Sequence, residues 1–447
     1  MKGSETSQMN IKTFKGGVHP PHAKFTKDKP IEKARLPEKV IIPLQQHIGA
    51  PCEPVVSVGD NIKVGQKIGE PKGFVSAPVH SSVSGKVVAI ETHPHPIGSD
   101  VLSVVIESDG KDEVFEGVKP YGDLDSLTAD DIKNLIRESG IVGMGGATFP
   151  TQVKLSPPPD KKIDTVIING AECEPYLTAD HRLMLEKPEN IIFGLKAIMK
   201  ALGVENGYIG IEDNKPDAIE KLSKLAEQEN NIKVVVLRTK YPQGGEKQLI
   251  YAITGREVPS GGLPMEVGAV VQNVGTTNAI ATAIKTGMPL IERVLTVTGS
   301  GVKQPKNMLV RIGTPFKEVI EQCGGFNGTP GKVIMGGPMM GLAQSSVEVP
   351  VIKGTSGILV LTKQDAKMFE PRPCIKCARC VDACPAYLLP TRLAHFSEKA
   401  MWDEAEEYNA LDCIECGSCS FVCPAKIPLV QRIRLAKSQI IAKRKKK

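Results

Sequence analysis

The chain has 447 residues, 41% of them hydrophobic and 24% charged, which is enough apolar sequence for several buried cores at an ordinary soluble composition. With 43 Gly, 34 Pro and only 4% aromatics it is rich in turns, and it lacks the rings of a protein that stacks many bases. The net charge of +6 is local: residues 427–447 hold eight Lys/Arg and no acid, so the rest stands at −2, which argues against a general nucleic-acid binder.

No run of 18 apolar residues occurs, so no membrane-spanning helix is expected. The opening MKGSETSQMN lacks the apolar stretch of a secretory signal, and the reading is a cytosolic chain. Residues 1–40, basic and Pro-rich (HPPHAKFTKDKP), predict an extended arm lying on the body. Residues 41–115 alternate Val/Ile with Gly-Asp, Val-Gly and Ser-Gly turns and predict a small β barrel-sandwich. Its halves, VSVGDNIKVGQKI and APVHSSVSGKVVAI, resemble the hairpins of biotinyl and lipoyl carriers, but Lys72 lacks the motif that flanks a carrier's attachment lysine.

Residues 120–290 alternate helix and strand. A helix follows Thr128, with Asp131 placed to complete a capping pair and with Ile132, Leu135 and Ile136 on one face. Strands are read at 162–170, 207–213 and 231–239, and helices at 189–203 and 215–230. This predicts an α/β domain with a largely parallel sheet. Residues 291–365 return to β character (strand, turn, strand, short helix) and resemble the ligand-binding β-grasp module called SLBB. A Cys-rich helical segment, 366–426, and a basic tail, 427–447, complete a multidomain α/β chain.

Eight of the 11 Cys lie between Cys374 and Cys423, while Cys52, Cys173 and Cys323 are scattered singly, as small buried hydrophobes are. Nothing exports the chain, so a disulfide framework is not expected. The run Cys374-x2-Cys377-x2-Cys380-x3-Cys384-Pro385 recurs as Cys413-x2-Cys416-x2-Cys419-x3-Cys423-Pro424, each position 39 residues on. Three Cys at this spacing wrap a tight loop around one iron–sulfur cube, and the fourth, before Pro, reaches the other cube. Cys374, Cys377, Cys380 and Cys423 are thus assigned to one [4Fe–4S] cluster, and Cys413, Cys416, Cys419 and Cys384 to the second. The competing reading, two structural zinc sites, is disfavoured because such sites pair CxxC with a distant CxxC or His.

The stretch GIVGMGGATFPTQVK (140–154) allows close backbone approach to a flat or phosphorylated ligand, with Lys154 available to a phosphate. It is not the dinucleotide fingerprint, because no strand leads directly into it. NGAECEP (169–175) ends a strand, where open α/β sheets bind ligands, and GGEK (244–247) and QNVGTTN (272–278) each follow an apolar run. Taken singly, each of these also serves as turn or cap chemistry.

Together and in this order they resemble the flavin- and NADH-binding subunit of respiratory complex I. They resemble still more closely, over essentially the whole chain, the C subunits of Rnf ion-translocating ferredoxin:NAD oxidoreductase complexes. The front β domain and the paired four-cysteine runs carry the closer match, since the complex I subunit ends in a single cluster.

The resemblance implies FMN as cofactor beside the two clusters and NAD(H) as substrate. It implies that Gly143, Gly145, Gly146 and Lys154 line the flavin loop, that Phe149 contacts the nicotinamide nucleotide and that Glu174 binds its ribose. Asn169, Glu172, Glu246, Gln272, Asn273 and Thr276 would surround FMN. The chain departs from the family pattern at Ala171, Lys247 and Gln272.

The implied scheme is hydride exchange between NAD(H) and FMN, then single-electron exchange with the clusters, without a catalytic acid or base. The implied partners are the other Rnf subunits (A, B, D, E and G), above all the iron–sulfur B subunit and the membrane subunits. The implied setting is the cytoplasmic face of the membrane, with peripheral attachment and coupling to Na+ or H+ export. A stripe of Leu429, Ile433, Ala436 and Ile440, followed by five cations, fits either contact with anionic lipid or a solvated end. Two other readings share these modules: a soluble reductase such as a cobalamin reductase, and an electron relay without flavin.

Overall fold

The structure, a computed structural model, describes residues 11–367 and 369–445. Residues 1–10 of the expected arm, and Lys446 and Lys447 of the expected tail, lie outside the described residues.

The alternating Val/Ile sequence after residue 38 folds into a barrel-sandwich. One antiparallel sheet has the order Lys39–Pro43, Asp100–Ser108, Gly85–Pro94, Asn61–Ile62, and a smaller one joins Cys52–Pro54, Lys67–Pro71 and Val79–His80. The period-two pattern turns Val40, Ile42, Val104 and Ile106 into a core shared with Ile68 and Val79 of the second sheet. Lys72 stays exposed and pairs with Glu53.

The near-continuous apolar strands farther on form a four-stranded, wholly parallel sheet of order Ile232–Leu237, Asn206–Glu212, Thr165–Gly170, Ala269–Asn273. Burial on both faces explains why such strands read as Val/Ile runs rather than alternating ones. Helix Pro188–Leu202 starts on Pro and stops at the left-handed Gly203. It lies against helix Val274–Thr286 so closely that a Cβ on Gly194 would sit 2.2 Å from the Thr277 carbonyl oxygen.

The third layer is a mixed six-stranded sheet in which Glu292–Thr298 and Lys306–Arg311 are antiparallel, with helix Phe316–Gln322 packed on it. Its edge strand, Ile31–Lys33, comes from the N-terminal arm and pairs parallel with Lys306–Arg311. Upstream, the arm exchanges backbone hydrogen bonds with the parallel sheet (Lys12 N–H to the Val236 carbonyl, 2.9 Å) and with the Cys-rich domain (Gly17 N–H to the Ala383 carbonyl, 2.9 Å).

In the Cys-rich domain the 39-residue repeat is visible in the backbone. Lys376 and Glu415, Ala378 and Gly417, and Tyr387 and Lys426 all take left-handed conformations, with φ between +54° and +77°. For non-Gly residues this costs roughly 1–2 kcal/mol each, so the strain is retained for a purpose.

The expectation of a separate basic tail from residue 427 is corrected here. Residues 429–445 form one helix, Leu429–Lys445, whose Leu429, Ile433, Ala436 and Ile440 are buried. The last three share a core with Leu393, Phe396, Ala405 and Ala410. Lys443 and Arg444 pair with Asp403 and Glu406. The apolar stripe is a core face, and it is already covered.

Replacing Gly194 with Ala tests the close helix approach. Ala is the better helix former by about 1 kcal/mol, yet overpacking against Thr277 is expected to leave a net loss of about 2 kcal/mol, read as a lower denaturant midpoint.

Candidate functional site

The parallel sheet grows from its central strand, Thr165–Gly170, first to one side and then, through Ala269–Asn273, to the other. The switch point between these two strands is where open α/β sheets hold ligands. Asn169 and Asn273 sit side by side there in register.

The glycine loop reaches this point from the helix Ala129–Glu138, which carries the Thr128–Asp131 capping box. It closes on itself through Gly143 N–H to the Phe149 carbonyl (2.8 Å), and Met144 is buried as its anchor. Met144 N–H donates to Thr276 Oγ1 at 2.9 Å. A Cβ on Gly145 would lie 3.0 Å from the Asn273 side-chain nitrogen, so that glycine permits the loop to close on the strand end.

Asn169 Nδ2 donates to the Gly244 carbonyl at 2.9 Å and draws the GGEK turn into the crevice. Lys154 Nζ donates to Glu246 Oε1 at 2.7 Å and to the Val271 carbonyl at 3.3 Å. Asn273 Oδ1 caps the helix Val274–Thr286 through Gly275 N–H at 2.7 Å, while its Nδ2 donates to Asp180 Oδ2 at 2.7 Å. Lys247 turns away to the Pro259 carbonyl.

Glu172 stands one step behind the crevice. Its carboxylate accepts from the N–H groups of Asp180 (2.7 Å) and His181 (3.2 Å), at the start of helix Ala179–Glu186. Burial, and then the Glu172 charge, push Asp180 well above the usual carboxylate range.

Glu174 engages the β-grasp domain. Its two oxygens accept from Met339 N–H (3.1 Å) and Met340 N–H (2.7 Å) of the β-grasp domain, and a Cβ on Gly337 would collide with it at 2.3 Å. Burial raises Glu174 to about 7. Lys24, which the sequence reading missed, fixes the strand-end loop by donating to the carbonyls of Glu172, Glu174 and Leu177 at 2.6–2.9 Å.

The residues present fit a flavin phosphate. Among the described residues no acceptor takes the N–H groups of Gly145 and Gly146. Gln272 Nε2 is buried without a partner, and Lys154 adds a cation. The glycine N–H groups are exposed and open to a ligand, the buried Gln272 Nε2 calls for an acceptor, and Lys154 is shared with Glu246; an anionic, hydrogen-bonding ligand suits this set.

The cysteines fit cubes better than single ions. Cys374, Cys377, Cys380 and Cys423 line one cavity of about 220 Å³. In the second run, Cys413 packs against the apolar cluster that holds Cys384, and burial, then the neighbouring Cys413, Cys416 and Cys384, push Cys419 up to about 12. Yet among the described residues no three His, Cys, Asp or Glu side chains converge tightly enough to hold one ion. Four thiols spaced around a void suit a cube, which holds its ligands farther apart than a tetrahedral zinc does.

The second run and the end of the first, around Cys384, are seated against the parallel-sheet layer. The Tyr241 hydroxyl donates to the Cys416 carbonyl at 2.8 Å, and Gln248 Nε2 donates to the Pro385 carbonyl at 3.2 Å. Cys416 shares an apolar cluster with Val18, Tyr241 and Ala383, against which Cys173 and Met339 pack. Cys374 and Cys377 of the first run are exposed.

Four family models match the chain: the RnfC barrel sandwich hybrid domain (12–111), the Nuo51 FMN-binding domain (136–282), the SLBB domain (294–343) and the 4Fe-4S dicluster domain (366–427). Fold and site therefore define an electron-transfer subunit that uses FMN and two iron–sulfur clusters. The chain is 58% identical, over 98% of its length and 100% of the relative's, to the C subunit of the Na(+)-translocating ferredoxin:NAD(+) oxidoreductase complex of Acetobacterium woodii. It is 57% identical to the proton-translocating counterpart of Clostridium ljungdahlii, over 96% of this chain and 94% of that one. It is 42% identical to the C subunit of the ion-translocating oxidoreductase complex of Rhodobacter capsulatus, over 97% and 84%. The chain belongs to the RnfC family, the C subunits of these complexes.

Because Glu174 has a higher pKa when folded than the ordinary 4.5, the native state binds its proton more tightly than the unfolded chain. The wild type is therefore expected to lose stability relative to Glu174→Gln as pH rises from 4.5 to about 7, measured as paired denaturant midpoints at pH 5 and 8. A pH-independent difference would remove the buried, protonatable clasp.

Proposed function

We propose that this chain is the NAD(H)-side electron-transfer subunit of an ion-translocating ferredoxin:NAD+ oxidoreductase, attached peripherally at the cytoplasmic face of the membrane. No helix among the described residues is long and apolar enough to cross a bilayer. FMN, when bound, supplies the exchange between a two-electron hydride and the single electrons that clusters accept.

The chain's residues divide the work. Gly143, Gly145, Gly146, Lys154, Asn169, Glu246, Gln272, Asn273 and Thr276 hold and orient the flavin, with Glu172 bracing the helix behind them. The half-buried Phe149 faces the nucleotide from the rim of the loop. Glu174, whose oxygens are engaged by Met339 and Met340, serves as a domain clasp. Cys413, Cys416, Cys419 and Cys384 hold the inner cluster; Cys374, Cys377, Cys380 and Cys423 hold the outer one.

The observation that carries this reading is the seam between Tyr241 and Cys416, which brings the second cysteine run against the flavin layer, while Cys374 and Cys377 at the start of the first run are exposed. The outer loop, 371–379, is exposed throughout and presents Arg372, Lys376 and Arg379 beside Ile375. This supports a partner's redox centre, that of the iron–sulfur B subunit, as the next station.

Anaerobic NADH titration of the reconstituted chain tests the order. In Cys377→Ser, NADH should still reduce flavin and the inner cluster. In Cys416→Ser it should bleach the flavin and leave the outer cluster oxidised. Undiminished reduction of the outer cluster in Cys416→Ser, followed by electron paramagnetic resonance, would falsify the order.

A further inference from the structure

Besides receiving the Glu174 clasp at Met339 and Met340, the β-grasp domain sends one of its side chains into the flavin layer. Arg293 lies on the strand Glu292–Thr298 and is only 5% exposed. Its Nη2 donates to the Met144 carbonyl at 2.8 Å, and its Nη1 donates to the Lys353 carbonyl. Met144 is the residue between Gly143 and Gly145, so a guanidinium from another domain holds the centre of the glycine loop.

The loop is thereby gripped from two sides. Thr276 takes the Met144 N–H, and Arg293 takes the Met144 carbonyl. A trans peptide is planar, with its C=O and the following N–H pointing in opposite directions. Fixing the Met144 carbonyl toward Arg293 therefore turns the Gly145 N–H away from Arg293. No protein acceptor among the described residues takes that N–H.

The charge of Arg293 is answered by the same constellation. Asp180 acts on Arg293 electrostatically and accepts from Asn273 Nδ2 at 2.7 Å. Asn273 touches Gly145 and caps the helix that carries Thr276. Arg293, Asp180, Asn273 and Thr276 thus form a closed frame around the loop. A cavity of about 70 Å³ borders Met144, Asp180 and Arg293, and the Arg293 Nε beside it has no protein partner. That volume admits water, which can complete the guanidinium's hydrogen bonds.

We propose that Arg293 is a positioning residue for the flavin: delivered by the β-grasp sheet, it sets the Met144–Gly145 peptide so that the Gly145 N–H faces the ligand. The inference rests on the assignment of the 143–154 loop to FMN. It gives the β-grasp domain a role in cofactor binding across a domain boundary.

The test uses the full chain with reconstituted clusters, the Arg293→Met and Arg293→Lys variants, and FMN as the titrant. Methionine keeps much of the volume. Without Arg293, Asp180 can take up a proton, so no lone buried charge remains to unfold the site. Arg293→Met should bind FMN about tenfold more weakly, the scale of one lost hydrogen bond from a charged donor. It should also shift the flavin midpoint potential, while iron content and cluster electron paramagnetic resonance spectra stay unchanged. Arg293→Lys, which can still donate to one carbonyl, should recover part of the affinity.

If Arg293→Met binds FMN with wild-type affinity and potential, the proposal is overturned. The same holds if lysine restores nothing while both variants retain full cluster content. Should Arg293→Met fail to fold, the lysine variant alone decides, because full FMN loss without cluster loss and full retention of affinity each contradict graded positioning. Failure of the wild type itself to bind FMN would instead remove the assignment of the loop.

Discussion

The pairing of Asn169 with Asn273 at the carboxyl ends of two parallel strands is the constraint on which the proposed cofactor site depends. Strand order alone opens a crevice at that position, and the two amides give it polar walls. One amide draws in the turn at Gly244, and the other caps a helix and holds Asp180. The glycine loop can settle there because residue 145 has no side chain to meet Asn273. Sheet topology, helix capping and backbone permissiveness therefore act at one point, and each loses its purpose without the others.

A second constraint is distance. Electrons pass between centres only when the centres are held near one another, and here separate layers must be clamped together. The arm does much of this with main-chain hydrogen bonds, through Lys12 and Val18 to the flavin layer, Gly17 to the cysteine domain and Ile31–Lys33 to the β-grasp sheet. Side chains add Tyr241 to Cys416, Lys24 to the strand-end loop, and Glu174 to the backbone at Met339 and Met340. Backbone bonds tolerate sequence change, so an irregular, Pro-rich segment can serve as the clamp.

The fold class was legible because its signals are local. Buried parallel strands declare themselves as Val/Ile runs, capping boxes and terminal glycines mark helices, and the cysteine spacing repeats at a fixed interval. The glycine loop, Asn169, Glu246 and Asn273 could be picked out by resemblance, and the structure gathers them at one crevice. Contacts between distant segments could not be read. Arg293 meets Met144 across 149 positions and Tyr241 meets Cys416 across 175, with no periodicity to announce either. The ribose role of Glu174 was implied by resemblance, and nothing near it in sequence points to the Met339 and Met340 backbone that its oxygens engage. The terminal stripe at Leu429, Ile433, Ala436 and Ile440 was visible, but its covering residues, Leu393 and Phe396, belong to the other half of the repeat.

The interleaving of the two cysteine runs has an implication for how such a domain comes to exist. Cys423 completes the wall around the first loop, and Cys384 lies among the thiols of the second, so neither half of the duplication encloses a cage by itself. On the proposed ligand assignment, a chain that has made only the first run waits for the second before either cube can be fully ligated.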